Sequence, residues 1–155
     1  MNCPYCGRGT GVEDSRPAGD GSIVRRKRRC KACRKTLRTV ELPQVRLKVI
    51  RVQEGVPTKE RFDELRLSRS IFRCFQDQKN AISFRDYVLS RTLRQLLMQS
   101  ENEVSAAAIY ELVYEQMHEL HPQLAERYQA LRPLSGEAEL PAVTPLKDEQ
   151  LDLFK

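Results

Sequence analysis

At 155 residues, 40% of them apolar and 31% charged, the chain can form one mid-sized domain or two small ones, and its mean hydropathy of −0.57 suits a soluble protein. No run approaches the roughly 18 apolar residues of a membrane span, and Met1-Asn2-Cys3-Pro4 has neither the charged nor the apolar region of a secretory leader. A cytoplasmic protein with no membrane partner is therefore expected, in which paired cysteines serve as metal ligands rather than disulfides. The net charge of +6 is unevenly spread: residues 1–51 hold 14 Lys and Arg against 4 Asp and Glu, a net of +10, and the remainder carries −4. Such a concentrated basic patch implies a polyanion, with nucleic acid first.

Residues 1–42, rich in Gly, Cys and Arg, carry short alternating runs such as Ser22-Ile23-Val24-Arg25 and predict strands and tight turns around a metal. Cys3-Pro4-Tyr5-Cys6 and Cys30-Lys31-Ala32-Cys33 form two C-x-x-C knuckles separated by 23 residues. Each two-residue gap lets both thiolates reach one ion, and Cys3, Cys6, Cys30 and Cys33 together complete a closed tetrahedron, expected to hold one structural zinc. The alternative, a redox-active C-x-x-C, lacks its βαβ setting here. Arg25-Arg26-Lys27-Arg28-Arg29 enters the second knuckle; as a strand it places Arg25, Lys27 and Arg29 on one face and Arg26 and Arg28 on the other. Five adjacent cations repel one another without a partner, so this run is expected to contact DNA phosphates or base edges, against the plainer reading of a solvated face.

Residues 43–132 carry nearly all the helical periodicity. A strand over Val45–Val52 alternates Val45, Leu47 and Val49 with Arg46, Lys48 and Ile50, and Glu54-Gly55 turns the chain. A first helix is predicted near Phe62 with Leu65, Phe72 and Phe75 inward. Ser83 and Asp86 suggest the cap of a second, which carries Leu89, Leu93, Leu96 and Leu97. A third from about Ser105 has the stripe Ile109, Leu112, Val113, Met117 and Leu120, and Pro122 opens a fourth that buries Leu124, Tyr128 and Leu131. Four helices and a strand pair make a small α-rich domain, so the whole is of α+β class. Cys74 reads as a small buried apolar residue. His118 and His121 flank a helix end, and no nucleophile–base pair or Gly-rich phosphate loop points to an enzyme. Residues 133–155, with three prolines and five acids against two lysines, are expected to be a flexible acidic tail.

Taken in order, the first knuckle, Val12-Glu13-Asp14-Ser15-Arg16, Ile23 with the basic run, the second knuckle and Glu41 resemble the zinc ribbon of the NrdR family, bacterial transcriptional repressors of ribonucleotide reductase genes. That resemblance implies a nucleoid-associated regulator of double-stranded DNA, with Arg16 and residues 25–29 as its DNA contacts. It further implies an ATP-cone over residues 43–132 that binds ATP or dATP and controls homo-oligomerisation. The chain departs from the family in two places. Thr36-Leu37-Arg38-Thr39-Val40-Glu41 lacks the two aromatics of the family's Arg-Phe-Thr-Thr-Tyr-Glu run. Ile50-Arg51-Val52-Gln53-Glu54-Gly55 keeps the glycine of the phosphate-holding turn but not its cations, leaving Lys48 and Arg51 as candidates in their place. Gln150-Leu151-Asp152-Leu153-Phe154 is similar to the peptide by which bacterial replication and repair proteins dock on the sliding clamp, with Gln150, Leu151, Leu153 and Phe154 as anchors. A second reading follows: a clamp-recruited nucleic-acid-binding accessory factor of replication that has lost nucleotide sensing.

Overall fold

The computed structural model describes residues 1–53, 55–99 and 101–131. Three antiparallel strands, β1 (Thr10–Ala18), β2 (Ile23–Cys30) and β3 (Thr36–Glu41), form a sheet in the order β1-β2-β3. β1 turns into β2 through Gly19 and Gly21, whose φ values of 65° and 92° lie in the left-handed region that glycine enters without a Cβ clash. A bulge between Val12 and Asp14 leaves Glu13 as the extra residue of β1.

Beyond this sheet, β4 (Lys48–Gln53) pairs antiparallel with β5 (Val56–Arg61) and parallel with the short β6 (Glu103–Ser105). Gly55, at φ 80°, lies in the turn between β4 and β5. The strand begins at Lys48 rather than Val45, yet Val45 and Leu47 are still buried, because Phe62 N–H donates to Leu47 O and the segment lies against the helices. Helices α1 (Glu64–Phe75), α2 (Ala81–Met98), α3 (Ala106–Leu120) and α4 (Pro122–Ala130) complete the α+β fold. Among the described residues no helix is long and apolar enough to cross a membrane.

The helix starts follow local chemistry. Asp63 Oδ1 accepts from the N–H groups of Leu65 and Arg66 at 2.9 and 3.0 Å, satisfying two donors that the first turn leaves orphaned. Asp63→Ala is expected to cost about 1 kcal/mol, read as a lower urea midpoint with unchanged m. Ser105 caps α3 through Ala108 N–H, and Pro122 occupies the first turn of α4 as its fixed φ favours. α2, by contrast, begins at Ala81 after Asn80, which makes no side-chain cap bond; Ser83 lies inside the helix. The spacing of Ser83 and Asp86 imitates a cap, but the Asp86 carboxylate is taken by Arg25 of β2.

One core joins the elements. It contains Leu67, Ile71, Cys74 and Phe75 of α1, Phe84, Val88, Leu89, Leu93 and Leu96 of α2, Ile109, Val113 and Met117 of α3, and Leu124 and Tyr128 of α4. Phe75 and Phe84 stack with ring centroids 5.5 Å apart. Leu112, Leu120, Leu131 and Phe72 are half-buried at its margin. Two expected core residues are on the surface: Leu65 is 59% and Leu97 50% exposed. Starting α1 at Glu64 turns Leu67, Ile71, Cys74 and Phe75 inward and Leu65 out, and Leu96 takes the buried place beside Leu97. Cys74 is fully buried, and burial pushes its thiol up to about 12, as befits an unreactive apolar filler.

Candidate metal centre and nucleic-acid interface

The two knuckles fold alike, as the repeated C-x-x-C pattern requires. In the first, Cys3 N–H donates to Arg8 O and Gly7 N–H to Cys3 O; in the second, Cys30 N–H donates to Lys35 O and Arg34 N–H to Cys30 O. The fourth residue after each leading cysteine has positive φ, Gly7 at 71° and Arg34 at 58°. Glycine accepts that conformation freely, whereas an arginine pays roughly 1–2 kcal/mol for it, held there by the closure of the knuckle.

The four sulfurs lie within 4.8 Å of one another, with Cys3 Sγ 3.6 Å from Cys33 Sγ and Cys6 Sγ 3.5 Å from Cys30 Sγ. A tetrahedron with Zn–S bonds of about 2.3 Å has S···S edges of about 3.8 Å, so these residues fit one zinc ion. N–H groups aimed at sulfur assist. That of Cys33, with Ala32 adding, lowers the Cys30 thiol to about 6. At Cys6 the Arg8 N–H is the largest single influence and acts in the same direction, but the hydrogen bonds with Cys30, Cys33 and Cys3 together with burial exceed it, and Cys6 rises to about 12. Cys3, Cys6, Cys30 and Cys33 thus form a four-thiolate site for one zinc, which has no coordination position left for substrate and is structural.

Residues opposite one another across an antiparallel pair share a face. One face of the sheet therefore carries the rows Gly11–Arg29–Thr36, Asp14–Lys27–Arg38 and Arg16–Arg25–Val40, and the other Val12–Arg28–Leu37 and Ser15–Arg26–Thr39. On the first face Glu13 reaches both Lys27 (3.2 Å) and Arg29 (3.4 Å), and its hydrogen bond from Lys27 holds its carboxyl below the usual range. On the second, Glu41 meets Arg26 at 2.9 Å and Arg28 at 4.0 Å, while Arg28 Nε donates to Thr39 Oγ1. Arg16 is largely exposed and pairs with Asp14 at 2.8 Å. Arg25 is held elsewhere, by Asp86 of α2. Each of Glu13 and Glu41 is shared between two cations, so both faces keep a positive excess.

The basic surface extends past the run identified in the sequence. Arg29, Lys31 and Arg34 border a cleft of about 380 Å³ between β1 and the second knuckle, and Arg38 stands beside Lys27 across the strand pair. Lys31 and Arg34 could have been found from their place in and just after the second knuckle. Asp86 had a signal as well, since it falls on the apolar stripe of Leu89, Leu93 and Leu96, where an acid demands a cationic partner.

Lys48 and Arg51 are not brought together. They lie three apart on β4, so the pleat sends them to opposite faces, and Arg51 Nε is engaged by Glu60 at 2.7 Å, which also binds Arg66. Lys59 is likewise held by Glu103 at 2.8 Å. These cations do not fit a shared phosphate clamp. The clamp-like residues Gln150, Leu151, Leu153 and Phe154 lie outside the described residues.

A family profile described as the N-terminal domain of "Transcriptional repressor NrdR-like" proteins matches residues 1–41, the span of the ribbon. The "Transcriptional repressor NrdR" of Maricaulis maris is 34% identical over 129 residues, covering 83% of this chain and 79% of the relative. That of Phenylobacterium zucineum is 35% identical over 129 residues, 83% and 82% of the two chains. That of Sphingopyxis alaskensis is 37% identical over 116 residues, 74% of each. Matches of this identity run well past the ribbon into the helical half, and with the four-thiolate centre they establish that the chain belongs to the NrdR family.

Proposed function

We propose that this chain is a zinc-dependent, DNA-binding transcriptional repressor acting in the bacterial cytoplasm at the nucleoid, and that ribonucleotide reductase genes are its targets. The observation that carries this reading is the metal-stapled sheet whose Lys27, Arg29 and Arg38, with Arg34 and Lys31 of the second knuckle, outnumber the acids beside them. Arg16 extends the same face, and Arg26 and Arg28 add positive charge on the opposite one. The zinc site, closed by four protein ligands, supports a binding role over an enzymatic one. In this reading the helical half carries homo-oligomerisation, and two ribbons on one duplex gain affinity through effective concentration. Control by ATP or dATP belongs to the same reading; with Arg51 taken up by Glu60, Lys48 on the opposite face of β4 is the better placed of the two to meet a phosphate, with other residues completing the site.

Fluorescence anisotropy on a reductase promoter duplex and a scrambled duplex, across a salt series, tests it. We expect preference for the promoter, and a salt slope reduced by about one in Lys27→Gln or Arg29→Gln, as losing one phosphate contact requires. Size-exclusion chromatography with and without dATP reads the nucleotide part. Equal affinity for both duplexes would overturn the repressor reading.

That result would favour the second reading, a clamp-recruited accessory factor of replication, for which the specific support is Gln150-Leu151-Asp152-Leu153-Phe154. Two or three apolar anchors beside a glutamine suit a preformed groove. A pull-down with purified sliding clamp should lose the protein when Leu153 and Phe154 are both changed to Ala; undiminished capture would dismiss the motif.

A further inference from the structure

The register places Arg25 on the face of Lys27 and Arg29, yet its guanidinium is turned to α2. Asp86 of α2 is 1% exposed, and its Oδ2 accepts from Arg25 Nε at 2.6 Å and Nη2 at 2.5 Å. Its other oxygen, Oδ1, accepts from Arg85 Nε and Nη2 at 2.9 and 2.6 Å. Arg25 Nη2 also donates to Ile82 O at 3.4 Å. A buried carboxylate is tolerable only with its charge and lone pairs satisfied, and here one of its two cations comes from the ribbon.

The turn between β1 and β2 meets the same side of the helix. A Cβ built on Gly19 would lie 2.6 Å from Asp86 O and 2.8 Å from Ser90 Cβ, so only glycine allows this approach. Asp20 N–H donates to Ser90 Oγ at 3.1 Å, and Arg94 reaches Asp20 Oδ2 at 3.5 Å. Ile23, fully buried, joins the core of the helical half. Asp86, Ser90 and Arg94 recur every four residues and therefore form one stripe along α2 whose polar side chains meet the ribbon, with the backbone carbonyl of Ile82 at its start.

We propose that Arg25 is a positioning residue rather than a DNA contact: with Gly19 and Asp20 it moors the ribbon on the Asp86–Ser90 stripe of α2, so that the helical half sets the direction in which Lys27, Arg29 and Arg38 meet DNA. The proposal rests on the DNA-binding reading above. It divides the cations of that face, Arg25 turned to the protein's own helix and Lys27 and Arg29 left to the duplex. Through this mooring, a change in how the helical halves assemble would be felt as a change in ribbon orientation.

The test uses the full-length, zinc-loaded protein and its Arg25→Gln, Asp86→Asn, Gly19→Ala and Lys27→Gln variants. Anisotropy on promoter DNA across a salt series is paired with amide hydrogen exchange at residues 18–23. Arg25→Gln and Asp86→Asn should each weaken binding on the order of fivefold with the salt slope unchanged, and the double variant should be no worse than either single one. Exchange at residues 18–23 should quicken in both. Gly19→Ala, which disturbs the mooring from the ribbon side, should behave the same way and covers the case in which Asp86→Asn does not fold. Lys27→Gln should lower the salt slope by about one with exchange unaltered. The proposal is overturned if Asp86→Asn, having lost an acid, binds DNA as well as or better than the parent while Arg25→Gln lowers the salt slope by about one. Should the parent itself not bind DNA, the repressor reading fails instead, and exchange alone judges the mooring: quickened in Asp86→Asn it stands, unchanged it falls.

Discussion

Chelating the metal is expected to unfold β1, β2 and β3 while the four helices persist. Among the described residues of the ribbon, the buried apolar positions are Cys3, Ile23 and Cys30; two of these are ligands and the third packs into the helical core. Nothing else replaces the ion. A structural zinc contributes on the order of 10–16 kcal/mol in small zinc-dependent folds, far more than three short strands obtain from hydrogen bonds and half-buried side chains. Hydrogen-exchange mass spectrometry after chelation should therefore show residues 1–41 unprotected and α1 to α4 still protected. DNA binding should fall to a weak, non-specific level. Cys30→Ser should reproduce both effects without chelator. The helical half should itself lose some stability, because burying Ile23 is worth roughly 1.5–3 kcal/mol and that contact goes with the ribbon. Protection of β1–β3 that survived complete removal of zinc would contradict a structural role for the metal.

Truncating Phe75 is expected to be the most damaging single change in the helical half. The residue is fully buried at the end of α1 and stacked on Phe84 near the start of α2, so its ring fills space that both helices enclose. Phe75→Ala should cost about 3–5 kcal/mol, which in a chain of this length corresponds to a fall in Tm of roughly 10 °C. Urea unfolding gives the free energy and calorimetry the Tm. Leu65→Ala is the contrasting measurement. Although the sequence pattern placed Leu65 inward, it is largely exposed, and its loss should stay within about 0.5 kcal/mol. Equal costs for the two variants would mean that α1 is rotated from the phase that buries Leu67, Ile71, Cys74 and Phe75.

That contrast shows where periodicity was informative and where it was not. In α3 the apolar stripe is long and its cap, Ser105, is unambiguous, so Ile109, Val113 and Met117 were correctly expected in the core. α1 presents Leu65, Leu67, Ile71 and Phe72 at spacings that fit two phases about 100° apart. The choice between them came from Asp63, whose carboxylate caps Glu64 as the first residue, and from Phe62, which is buried ahead of the helix. α2 misled for a similar reason: Ser83 and Asp86 have the spacing of a cap, but spacing cannot report that the carboxylate has a cation waiting in another strand.

The metal centre, the four helices of the described residues and the polarity of charge were determined by the sequence itself, because each depends on residues close along the chain or on composition. Two thiolates in a C-x-x-C reach one ion whatever surrounds them, and Asp63, Ser105 and Pro122 start helices through bonds to their own next turn. Only the tertiary structure decided how the five cations divide. Arg25 finds Asp86 across 61 residues, and no local rule links them. Likewise Arg51 and Glu60, on neighbouring strands, neutralise a charge that looked available for phosphate. An ion pair of this kind depends on which surfaces the packing of apolar side chains brings together, and that is a property of the whole fold.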